Sequence, residues 1–115
     1  MSRSKDTGNL KAIQNSIEKI FRFSQDLDSA QMLYQDEVKF DAIMMNFIIV
    51  GESAARLTNE FKEKQSLVPW QEIVAFRNIV AHNYFGVDPE EVFDIVKNHL
   101  PALQWQINKL IEDGF

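Results

Sequence analysis

Residues 42–50 read Ala-Ile-Met-Met-Asn-Phe-Ile-Ile-Val, and only Asn46 among them is polar. The stretch is far short of a membrane span. Phe40, Ile43, Met44, Phe47, Gly51, Ala54 and Phe61 recur at helical spacing through and beyond it, so it belongs to a helix. A helix on the outside of a small bundle keeps a polar face. One that is apolar nearly all round must be covered on a second side. Two arrangements satisfy this: a helix central to its own bundle, or a face shared with a second copy of the chain. The second is the sharper expectation, a homodimer through the second and third predicted helices.

The remaining apolar residues fall into the same period, and no stretch shows useful strand alternation. The polar start reads as flexible over residues 1–8. A first helix follows from Asn9, a fair N-cap, along Leu10, Ile13, Ile17, Ile20 and Phe21. Asp28 is a plausible cap for a short helical turn reaching Tyr34. The second helix is expected from Asp36 over residues 36 to about 64, with Gly51 letting another helix approach closely. Pro69 suits the first turn of the third, which should end near His82 to Tyr84. Gly86 breaks it. Asp88, Pro89, Glu90 and Glu91 open the fourth, which Pro101 should kink or divide. The expected fold is an all-α, four-helix up-and-down bundle in one domain spanning residues 1–115.

The chain of 115 residues is 45% hydrophobic, enough for a real core. With no cysteine there is no disulfide framework and no thiolate metal site, and two histidines are too few for a His-rich centre. The residues suggest no metal and no cofactor. No signal peptide or membrane span is visible, so a cytoplasmic protein is expected, with no membrane partner. The net charge of −5 counts against nucleic-acid binding by charge alone. It leaves room for a substrate gripped at one cationic spot.

That spot lies in residues 77–84, Arg-Asn-Ile-Val-Ala-His-Asn-Tyr. On a helical wheel, at about 100° per residue, Arg77 sits in the middle of an apolar arc with Trp70, Ile73, Val74 and Val80. A permanent cation there needs a partner or a job. Glu52 or Asp41 would serve as an ion-pair partner; a phosphate would suit the planar guanidinium equally well. His82 is the one side chain here ready to move protons near neutral pH. It lies about 140° round from Arg77, so a straight helix does not unite the two. Either the helix loosens at His82, or a second copy completes the site. Asn78 is placed to orient rather than react. Tyr84 falls about 20° from Arg77 on an ideal helix, within reach of the same cleft. His99 has no such setting and reads as a surface residue.

Arg77, His82 and Tyr84 form an R-x4-H-x-Y pattern. With Pro69-Trp70 before it, Phe85-Gly86-Val87-Asp88 behind it and Gly51-Glu52 upstream, the chain resembles HEPN domains of the HepT-like toxin subgroup over roughly residues 10 to 112. The resemblance implies a metal-independent RNase toxin acting on RNA, not DNA. Arg77, His82 and Asn78 would form its site, and Glu52 would support it. It also implies a cognate nucleotidyltransferase antitoxin that inactivates the toxin by nucleotidylating Tyr84. The acidic composition keeps open an inactive helical partner that binds a nucleotidyltransferase or nucleotide.

Overall fold

The helical spacing becomes an all-α bundle in the computed structural model, which describes residues 2–114. Its helices are α1 (Ser2–Ser24), α2 (Ala30–Gln35), α3 (Glu37–Arg56), α4 (Asn59–Lys64), α5 (Trp70–His82), α6 (Pro89–Asp94) and α7 (Leu100–Asp113). A 3₁₀ turn, Tyr84–Gly86, follows α5, and a π turn, Ile95–His99, joins α6 to α7. No described residue forms a strand. The four main rods are α1, α3, α5 and the joined α6–α7. The central rod is α3, with α1 packed on one side and α5 on the other, while α7 packs against α1. The core runs through Leu10, Ile13, Ile17, Ile43, Met44, Val80 and Ile107, each almost completely buried. Among the described residues, no helix is long and apolar enough to cross a membrane.

Two boundaries differ from the sequence expectation, and one contact explains both. The first helix begins at Ser2 rather than at Asn9, whose amide instead donates to the Lys5 carbonyl at 3.1 Å. Met1 lies outside the described residues. Asp6 is only 4% exposed, and its carboxylate accepts from the Thr58 backbone N–H at 2.8 Å and from the Thr58 hydroxyl at 2.7 Å. The Thr58 hydroxyl in turn accepts from the Phe61 N–H at 3.2 Å and caps α4. The single helix expected over residues 36–64 is therefore broken at Leu57 and Thr58, both extended. Leu57 and Phe61 keep helical spacing with Ala54, which hides the break from a periodicity reading. Joining the start of α1 to the end of α3 also fixes the two as antiparallel.

Other boundaries follow local chemistry. Ser29, one residue past Asp28, caps α2 through the Met32 N–H. Asp36 caps α3 and Asp88 caps α6. Pro101 has no N–H and its ring crowds the carbonyl four residues back, which lies in the π turn. The wider turn absorbs that crowding, so the last rod runs on into α7 through Pro101 instead of dividing there.

The all-round apolar segment divides once packed. Ile43, Met44, Asn46, Phe47 and Val50 are buried within the bundle, whereas Met45 is 55% and Ile49 36% exposed.

The stem of Arg77 on α5 lies directly against Gly51 on α3. A Cβ there would lie 2.1 Å from the Arg77 Cβ and 2.6 Å from its Cγ. Both are stem atoms that cannot swing aside. Gly51→Ala gains helix propensity of about 0.5–1 kcal/mol. Overpacking costs about 1–3 kcal/mol and should win. We expect a net loss of about 1–2 kcal/mol in urea unfolding. Unchanged or higher stability would show that α5 does not lie this close.

Candidate active site

Arg77 points from α5 toward α3, with its side chain 18% exposed. Its Nη1 donates to Glu52 Oε1 at 2.5 Å and its Nε to Asn78 Oδ1 at 2.8 Å. The Gly51-Glu52 pair therefore does two things: Gly51 makes room for the arginine stem, and Glu52 meets its charge. A guanidinium has five N–H donors in a fixed fork. Two are committed here, so about three remain to meet an acceptor such as a phosphate. The ion-pair partner is Glu52 rather than Asp41. Because Glu52 is half exposed, the pair orients the fork more than it stabilises the fold.

His82 is the last residue of α5 and is exposed. No hydrogen bond or ion pair links it to Arg77, Asn78 or Glu52. The α5 helix runs regularly to His82, so the helix does not loosen to unite the pair. His99 sits at the surface, 3.2 Å from the Asp94 carboxylate.

Tyr84 departs from the helical extrapolation. The helix stops at His82, Asn83 takes φ −143 and ψ 51, and Tyr84 opens the 3₁₀ turn. Its hydroxyl donates to Asp41 at the start of α3, and its ring packs edge-on against Phe40 at 6.0 Å and Phe85 at 5.6 Å. Asp41 and Glu52 are eleven residues apart on α3, roughly 16 Å along its axis. The phenol and the guanidinium thus dock on different turns and do not share a cleft within one chain. The Asp41–Tyr84 pair escaped the sequence reading. Antiparallel counting offered a signal: from Gly51 opposite Arg77, seven residues along α5 and back along α3 bring Tyr84 within a turn of Asp41.

The sequence profile described as Ribonuclease HepT-like matches residues 13–110. The chain belongs to the HepT-like ribonuclease family. Among similar proteins is one of Methanocaldococcus jannaschii named "Putative RNase MJ1380", 32% identical over 95 residues, covering 83% of this chain and 86% of that one. Another is "Probable ribonuclease HepT" of Thermococcus cleftensis, 31% identical over 101 residues, covering 88% of this chain and 91% of that one. No solved structure matches. The HepT-like match spans both docking points on α3 and the whole of α5.

Tyr84 is pushed up to about 12 from about 10, first by burial, then by its hydrogen bond to Asp41 and by the Asp41 charge. The fold thus favours the neutral phenol. Its contribution to stability is full below the unfolded value near 10 and is lost as pH rises toward 12. Tyr34 and Tyr84 are the two tyrosines, so Tyr34→Phe leaves one phenol to titrate. In that variant phenolate absorbance should stay low through the ordinary range near 10. Adding Asp41→Asn should bring ionisation down. Half-titration near 10 with far-UV circular dichroism intact would show that Asp41 does not hold the hydroxyl.

Proposed function

We propose that the chain is a metal-independent endoribonuclease and the toxin of a type VII nucleotidyltransferase–HEPN toxin–antitoxin pair. The observation that carries this reading is the Arg77 fork, held by Glu52 and Asn78 with donors to spare, in a chain whose relatives are named as ribonucleases. The reaction is internal to RNA. The 2′-oxygen attacks the adjacent phosphorus, the bond to the 5′-oxygen breaks, and a cyclic phosphate and a 5′-hydroxyl result. Arg77 stabilises charge growing on the phosphoryl oxygens. His82 moves the proton between these oxygens. Asn78 keeps the guanidinium oriented. The nucleophile is already in the substrate, so no cofactor is required.

One copy leaves His82 away from Arg77, and a two-fold would bring the His82 of a second copy to it. The exposed Met45 and Ile49 on α3 support a covered face there. A nucleotidyltransferase antitoxin would silence the enzyme by adding nucleotide to Tyr84. That bulk and negative charge would stand two residues from His82, across the path of the RNA.

The net charge of −5 and the neutralisation of Arg77 by Glu52 favour a second reading, an inactive helical partner of a nucleotidyltransferase. RNA cleavage in EDTA separates the two. The enzyme yields cyclic phosphate ends under chelation, and Arg77→Ala and His82→Ala lose about 10² to 10³ and 10² to 10⁴ in rate. Cleavage by His82→Ala at the wild-type rate overturns the mechanism. No cleavage by folded wild type supports the inactive partner.

The dimer is tested by light scattering. Wild type should run as a dimer at micromolar concentration, and Ile49→Asp, at an already exposed position, as a folded monomer. A monomeric wild type sinks the shared site.

A further inference from the structure

Asp41 lies outside the Arg77–Asn78–Glu52 constellation, on the opening turns of α3, and its carboxylate is engaged by the Tyr84 hydroxyl. Phe40 and Phe85 each meet the Tyr84 ring edge-on, and the hydrogen bond to Asp41 sets the direction of its hydroxyl. Tyr84 is only partly buried and Asp41 is exposed, so the oxygen pair faces outward, within reach of another protein. We propose that Asp41 is the base for nucleotide transfer onto Tyr84, so that the modified chain carries the group that prepares its own acceptor. This rests on the reading of Tyr84 as the modified residue.

The step balances as follows. The Tyr84 Oη attacks the α-phosphorus of a nucleoside triphosphate held by the nucleotidyltransferase, and an Oη–P bond forms. The bond from the α-phosphorus to the bridging oxygen breaks, and pyrophosphate leaves. The phenolic proton passes to the Asp41 carboxylate and from there to water. A neutral phenol is a weak nucleophile, and this one is held neutral well above ordinary pH, up to about 12. The carboxylate that opposes ionisation at rest is placed to take the proton as the new bond forms. An aspartate accepts the acceptor hydroxyl's proton in the same way in protein kinases, where it belongs to the enzyme. Here it belongs to the substrate chain.

Asparagine at this position separates base from bond. Its amide oxygen accepts the Tyr84 hydroxyl hydrogen bond but cannot take the proton. The chain is incubated with ATP, magnesium and a purified minimal nucleotidyltransferase of the proposed antitoxin class, and intact mass is followed with time. Wild type should gain nucleotide and Tyr84→Phe should not. Asp41→Asn should be modified about 10² to 10⁴ more slowly at saturation, with little change in KM for the acceptor chain. Asp41→Glu should recover part of the rate. Modification of Asp41→Asn at the wild-type rate overturns the role of Asp41 and leaves Tyr84 as the target. A raised KM with unchanged maximal rate makes Asp41 a docking residue and overturns its role as base. No gain on wild type, or an equal gain on Tyr84→Phe, overturns the reading of Tyr84 and this inference with it.

Discussion

The site depends on the missing side chain of Gly51. Without a Cβ at that position, the stem of Arg77 lies directly on the α3 backbone, closer than two substituted helices can approach. That contact solves a problem set by the α5 sequence. An arginine in the middle of an apolar arc must either leave the arc or be met by an anion. Glu52, the next residue, is placed to meet it, and Asn78 takes the Nε. Two adjacent residues of α3 thus set the position and direction of the one cation on which the proposed chemistry turns. The pair is too exposed to add much stability. What it supplies is orientation, which a preorganised electrostatic site requires.

The central place of α3 explains its composition. Its buried residues serve α1 on one side and α5 on the other, so an apolar run nearly all round is what its position demands. Met45 and Ile49 exceed that demand. They remain exposed. Scattered exposed apolar residues are ordinary on monomers. On the proposed reading, a second copy would cover Met45 and Ile49.

How much of this was legible depended on the range of the interaction concerned. Local chemistry could be read directly: Asp36 and Asp88 as caps, Pro69 before α5 and the strain at Pro101 all lie where residue type placed them. Glu52 was readable only as one of two partners for Arg77, with Asp41 the other, because a cation on an apolar arc must have one. Asp6 was not readable. Its partner is fifty-two residues away, and it both starts α1 early and breaks the helix after Arg56. Tyr84 failed for a related reason. The wheel that placed it beside Arg77 assumed a helix that ends at His82, and one non-helical residue, Asn83, redirects the phenol to Asp41.

That redirection bears on how one short motif can serve catalysis and control together. Within a chain, α3 presents two docking points roughly 16 Å apart, Glu52 for the guanidinium and Asp41 for the phenol. His82 lies at the end of α5 between these commitments, tied to neither. On the proposed reading, a nucleotide on Tyr84 would not silence the enzyme by filling the Arg77 fork of its own chain. It would act where His82 is proposed to work, by placing bulk and negative charge two residues beyond it. The charge would also disfavour the approach of an RNA backbone to a surface that is already acidic. Binding and proton transfer would then be blocked without disturbing the Gly51–Arg77 packing, which leaves the bundle folded while its chemistry is off.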